Sequence, residues 1–191
     1  MQVKPVIGLL AAGLLAGCGA LAEGLFQPLP PQAAVCAPTA TNPAGPFYLP
    51  DAPFRDDLRP AEAPGTTLVV AGQVMDTNCA PLAGAVVDVW QADAGGAYDF
   101  SADYRYRGRI QADDDGRYQF TTVMPGNYGS RPSHIHFRIS HPAAATLTTQ
   151  LYFEGDPRNA TDGLVVSSLI IPLATGPDGS RRGVFDITLG R

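Results

Sequence analysis

The chain has 191 residues, 45% of them hydrophobic and 16% charged, which is enough apolar material for a packed core and excludes wholesale disorder. A formal charge of −5 and a single lysine, Lys4, make nucleic acid a poor partner. Glycine and proline, 21 and 18 residues, favour short strands and turns over long helices, and three cysteines are too few for a disulfide-built miniprotein or a four-thiolate zinc site.

Residues 1–17 read as an export signal. Lys4 supplies the positive start, and Pro5–Gly17 is an apolar, small-residue run too short for a bilayer span, which takes roughly 20 residues. The run ends in Leu15-Ala16-Gly17-Cys18, which looks like a bacterial lipobox, with Cys18 lipidated and first in the mature chain. An ordinary secretory signal cleaved a few residues later is the alternative. Either way the chain leaves the cytoplasm. Gly19 after the cysteine points to the outer membrane, facing the periplasm or the cell surface. Residues 18–43 are rich in Ala, Pro and Gly without periodicity, so a tether and an irregular arm are expected before a domain at 44–191. In an oxidising compartment Cys36 and Cys79 are expected to form a disulfide; two buried free thiols are the alternative.

From residue 66 the pattern is strands broken by turn residues. Expected strands are Thr66–Met75, Gly84–Gln91, Tyr106–Gln111 and Arg117–Val123, the last two separated by the turn Asp113-Asp114-Asp115-Gly116. Ser133–Ser140 alternates strictly, and Thr146–Glu154, Val165–Leu173 and Arg182–Leu189 follow. About eight strands with no good helical window predict an all-β chain, an antiparallel sandwich of two sheets.

The sharpest local signal is His134-Ile135-His136, which holds two of the chain's three histidines. In a strand, residues i and i+2 share a face, so two imidazoles project side by side while Ile135 points into the opposite layer. Such a pair invites a metal; two surface histidines without a partner are the bland alternative. Trp90 reads as core, and His141 before Pro142 as a solvated turn residue. Arg105, Arg107 and Arg109 alternate, which predicts a salt-bridged sheet face.

Around the histidines stand GPFYLP (45–50), VVDVWQADAGGAYD (86–99), YRGRI (106–110), DDDGRYQFTTVMPGNY (113–128), RPSHIHF (131–137) and LTTQLYFEGD (147–156). In these stretches and their order the chain resembles the intradiol ring-cleavage dioxygenases, the family of catechol 1,2- and protocatechuate 3,4-dioxygenases. The resemblance implies one ferric ion per chain, with Tyr98, Tyr128, His134 and His136 as its ligands. It implies that Arg131 stabilises negative charge on the bound substrate and that Gln150 stands close behind the site. Tyr104 and Tyr106 are the next candidates as ligands, although a tyrosine in a sandwich usually packs its ring and bonds its hydroxyl, as Tyr118 is expected to do. The ligand set suits Fe(III), a hard cation, better than Fe(II), for which two histidines and a carboxylate are typical.

What the resemblance implies for activity is cleavage of a catechol-type diphenol between its two hydroxylated carbons with O2, in aromatic hydrocarbon catabolism, giving a cis,cis-muconate-type product. The expected partners are that substrate, O2, a membrane reached through the lipid, and a homo-oligomer. The loop between Tyr128 and Arg131 is short for the family, which leaves the ring substituents open. The rival readings are a non-catalytic cell-surface binding module that kept the fold, and a copper or Fe(II) protein using the two histidines alone.

Overall fold

The computed structural model describes residues 36–191. Cys18 and the signal at 1–17 lie outside the described residues. The chain forms β1 (Thr67–Asp76), β2 (Val86–Gln91), β3 (Arg107–Gln111), β4 (Arg117–Val123), β5 (His134–His141) and β6 (Ala144–Phe153). Then come β7 (Ile170–Ile171), β8 (Ala174–Thr175), β9 (Arg181–Val184) and β10 (Ile187–Leu189), with short 3₁₀ turns at Pro157–Ala160 and Ser167–Leu169.

These strands make two five-stranded sheets. In the first, β1 pairs antiparallel with β4 and parallel with β9 and β10, and β8 pairs with β9. The second has the order β3-β2-β5-β6-β7. The sandwich is therefore mixed: β7, β9 and β10 pair parallel, where neighbouring segments joined by tight turns would have paired antiparallel. The expected strand at 165–173 shrinks to two residues. Ser167 and Ser168 turn outward in a 3₁₀ turn, and only the end of β6 is left to pair with Ile170 and Ile171. The expected strand at 182–189 breaks at Phe185-Asp186. There the Phe185 carbonyl sits where a Cβ on Gly72 would stand, 2.0 Å from it.

Alternation decides which face each strand buries. Leu68, Val70 and Val74 of β1, Phe120 of β4, Val87 and Val89 of β2, and Ile135, Phe137 and Ile139 of β5 pack into one core. The opposite face of the second sheet therefore carries Asp88 and Trp90 of β2, His134 and His136 of β5, and Gln150 and Tyr152 of β6. Register sets Trp90 and Gln150 beside His136, and Tyr152 beside His134.

The N-terminal arm covers that face. It starts at a Cys36–Cys79 disulfide with Cα atoms 5.3 Å apart. Residues 36–43, read from composition as the end of a tether, are bonded down. Thr39 exchanges hydrogen bonds with Thr188 of β10, Asn42 N donates to the Thr148 carbonyl, and Gln150 Nε2 donates to the Pro43 carbonyl at 2.6 Å. Arg107 and Arg109 then anchor the next stretch by donating to the Phe47 and Ala52 carbonyls.

Candidate metal centre

His134 and His136 are both buried, and their rings lie 4.8 Å apart. Their Nε2 atoms reach one and the same atom, the Tyr98 hydroxyl, at 3.2 and 3.0 Å. His134 Nδ1 lies 2.7 Å from the Pro132 carbonyl, so it carries the proton and leaves Nε2 as a lone pair. The other faces of the cluster are packed. Trp90 stacks on His136 at 5.0 Å with planes 5° apart, and Phe47 stacks on Tyr98 at 4.1 Å. Gly45, with φ +66, lets the arm run close over the imidazole: a Cβ there would stand 3.4 Å from His136 Cε1.

Glycines bring the two tyrosine loops together. A Cβ on Gly96, φ +87, would stand 2.3 Å from the Asn127 carbonyl, and one on Gly126 would stand 2.5 Å from Gly96 N. The loops therefore touch backbone to backbone, joined by Gly126 N donating to the Asp93 carbonyl. Tyr98 and Tyr128 each follow one of these glycines by two positions, and their rings end 5.5 Å apart, edge to face. Tyr98 is buried between the imidazoles and Phe47. Tyr128 is 41% exposed at the lip, and its hydroxyl bonds to none of the other three.

Burial dominates the titration of the cluster. It pushes the Tyr98 phenol far up, although the charges of Arg131 and Arg107 oppose it. It pushes His134 down to about 4, where the Pro132 carbonyl opposes and Arg131 assists. His136 is held well down by burial, then by His134 and Arg131. Both imidazoles are thus neutral and can give lone pairs, while Tyr98 keeps its proton unless a cation takes the oxygen.

Arg131 stands beside the pair with every nitrogen engaged. Its Nε donates to Asp162 at 2.7 Å, Nη1 to Gln150 Oε1 at 2.9 Å and Nη2 to the Tyr152 hydroxyl at 2.9 Å. Nη1 also lies 3.4 Å from His134 Nε2. Gln150 Oε1 accepts from Tyr152 as well. The loop from Tyr128 to Arg131 is closed by Arg131 N donating to the Tyr128 carbonyl. Asp156 clamps it by accepting from Asn127 Nδ2 and Ser133 N.

The donors present fit a hard trivalent ion. Two neutral nitrogens and one phenol oxygen meet within hydrogen-bond distance, and a second phenol is next to them. His136 Nδ1 is buried and makes no hydrogen bond of full geometry, and the Pro43 carbonyl is the group that favours a proton on this ring. No group of three or more His, Cys, Asp or Glu among the described residues could hold a metal, so an ion here would need the phenol oxygens.

Other candidates go elsewhere. The Tyr104 hydroxyl donates to the Pro50 carbonyl, Tyr118 donates to the Phe185 carbonyl, and Tyr106 is buried. His141 ends β5 at the hairpin, where it accepts from Ala143 N and lies 3.2 Å from the Ala83 carbonyl. The arginine row is not a salt-bridged face. Arg105 precedes β3 and pairs with Asp103, while Arg107, 1% exposed, and Arg109 pair with no carboxylate and hold backbone carbonyls. Sequence reasoning missed Asp162, Asp156, Tyr152 and Asn42. Asp156 and Tyr152 lie inside the LTTQLYFEGD stretch, which singled out only Gln150. Asp162 and Asn42 carry no local signal.

The chain also has relatives among known proteins. A family model described as Dioxygenase matches residues 44–189. The chain is 34% identical over 176 residues to catechol 1,2-dioxygenase 2 of Acinetobacter lwoffii, which covers 79% of this chain and 63% of that protein. Among solved structures, one neighbour is the dioxygenase domain of a dioxygenase–carbohydrate-binding protein fusion from Streptomyces sp. SirexAA-E. It has 40% identity and a TM-score of 0.76, over 81% of this chain and 99% of that one. Another is 3-chlorocatechol 1,2-dioxygenase of Rhodococcus opacus 1CP, with 30% identity and a TM-score of 0.76, over 80% and 72%. The chain spans about half to two thirds of the length of the curated relatives it matches.

Proposed function

Because the chain belongs to the intradiol ring-cleavage dioxygenases, we propose that it opens the ring of a catechol-type ortho-diphenol between its two hydroxylated carbons. Both atoms of O2 enter a cis,cis-muconate-type diacid. The observation that carries this reading is the convergence of two imidazole nitrogens on one phenol oxygen, with a guanidinium alongside. Tyr98, Tyr128, His134 and His136 would hold a ferric ion, which would supply the positive charge that favours an ionised diol and opens its ring to O2.

The chain's own groups do the rest. As a phenolate, Tyr98 or Tyr128 can take up, at the hydroxyl oxygen, a proton that the diol gives up on binding. Arg131, held by Asp162, Gln150 and Tyr152, presents a fixed donor fork that stabilises negative charge on the bound diol. Gln150 is itself tied to the arm at Pro43, so the amide orients the guanidinium without turning. Trp90 on His136 and Phe47 on Tyr98 keep water from two sides, which strengthens each charge interaction inside. Export behind the signal at 1–17 and lipid anchoring at Cys18 complete the reading, and place the activity in the bacterial cell envelope.

The test is the iron-loaded protein with catechol under labelled oxygen. The expected result is a visible phenolate-to-iron absorption band and a muconic diacid carrying both labelled atoms. A yellow semialdehyde, or no incorporation across a panel of catechols, overturns the reading.

A further inference from the structure

Large exposed hydrophobic side chains are few among the described residues: Phe54, Phe100, Tyr128, Leu164, Val166 and Val184. Four of them belong to segments that build the donor cluster. The Phe100 and Tyr128 rings lie 5.4 and 5.1 Å from Phe47, the ring stacked on Tyr98. Leu164 and Val166 follow Asp162, the partner of Arg131, and the Leu164 carbonyl accepts from Asn42 Nδ2 at 2.7 Å. Single exposed apolar residues need no explanation, but two exposed rings packed on Phe47 beside a polar site mark a binding surface.

Phe100 is 61% exposed, yet its backbone is held firmly. The buried Arg107 donates at 2.6 Å both to the Phe47 carbonyl and to the carbonyl of Asp99, the residue before Phe100. Asp99 in turn accepts from Ser101 Oγ and Arg105 N. One guanidinium thus ties the ring that lies on Tyr98 to the ring that stands outside it. The aromatic wall is continuous from the buried phenol to the surface.

The charges beside this wall argue against an acidic substituent. Arg107 is spent on two backbone carbonyls, and Arg131 is held toward the diol oxygens by Asp162, Gln150 and Tyr152. Arg105 lines the cavity behind Tyr98 with Asp93, Asp99 and Glu62. A carboxylate entering here meets three acidic side chains and one arginine that already pairs with Asp103.

Resting on the catechol-cleavage reading above, we propose that the diol ring carries a neutral apolar substituent, best an aryl group, and that Phe47 and Phe100 form the subsite that takes it. One ring, Phe47, stands between Tyr98 and Phe100. An aryl group offers a face that can stack on this wall, which a methyl group lacks.

The test compares catechol, 4-phenylcatechol and 3,4-dihydroxybenzoate with the wild-type protein, Phe100→Ala and Phe100→Tyr. It reads kcat/KM and, without O2, equilibrium binding to the iron-loaded protein. The expected results are a wild-type preference for 4-phenylcatechol over the carboxylated diol, and a fall of about three- to tenfold in the 4-phenylcatechol-to-catechol ratio in Phe100→Ala, the size of one aromatic contact. Phe100→Tyr should keep the ratio. An unchanged ratio in Phe100→Ala, in turnover and in binding, overturns the subsite, as does a preference for the carboxylated diol. Catechol is the internal reference: failure to turn it over strikes the reading of the reaction, and the binding ratio then still decides the subsite.

Discussion

The donor cluster is assembled from two kinds of backbone. His134 and His136 ride on β5, whose alternation sends both rings to one face while Ile135 anchors the strand in the core. Tyr98 and Tyr128 ride on loops, and they meet because Gly96 and Gly126 let those loops touch. The strand pair owes its geometry to a ladder of hydrogen bonds shared with β2 and β6. The loop pair owes its geometry to two absent Cβ atoms and a few clamps. A sheet thus sets direction cheaply and rigidly, whereas the loops set distance and leave one of their two rings at the surface.

Four perturbations bear on this contrast. The largest effect is expected from the strand: His134→Ala or His136→Ala should reduce bound iron to background, while His141→Ala should retain it. Metal analysis of the purified variants decides, and equal iron in all three would place the metal elsewhere. Next is the guanidinium beside the strand. Arg131→Ala should lower kcat on catechol at least about a hundredfold. Asp162→Asn, which removes the carboxylate partner and keeps the shape, should lower it about tenfold with a smaller change in KM. Equal losses in kcat and KM would make Asp162 merely structural.

The third perturbation strikes the loops. Gly96→Ala puts a Cβ against the Asn127 carbonyl at a positive φ and should cost about 1–3 kcal/mol of stability. It should also shift the visible band of the iron-loaded protein. A lower melting temperature with an unchanged band would mean that the tyrosines do not depend on that contact. The smallest effect on the site is expected from the arm. Cys36→Ser with Cys79→Ser should cost roughly 2–4 kcal/mol in denaturant unfolding, since the bond closes a long loop, with iron content unchanged.

The same contrast explains what could be read from the chain. Strands β1 to β6 were legible within a few residues because apolar alternation reports a half-buried sheet directly. The histidine pair was legible for the same reason. The short β7 to β10 were not, because parallel pairing to β1 and β6 depends on segments far away in sequence. Local pattern suggested two long strands where the chain makes turns. Tyr98 and Tyr128 could be singled out among seven tyrosines only through the family resemblance, since the loop contact that joins them leaves no periodic trace. Asp162 is 31 residues from the arginine it holds and sits in an ordinary turn. Arg107 misled because alternation predicts a shared face but not what covers it. The cover is the arm, whose carbonyls take the place expected for carboxylates.

The disulfide also gives the molecule a defined load path. A pull on the chain before Cys36 meets a covalent link to Cys79, in the turn between β1 and β2, before it reaches Gly45 and Phe47. Tension then passes into β1, whose long ladder with β4 loads many hydrogen bonds at once. The segment lying over His136 stays slack. For a chain read as tethered at its N-terminus, the arm thus works as a strain relief, as a clamp on a cable keeps a tug from the terminals.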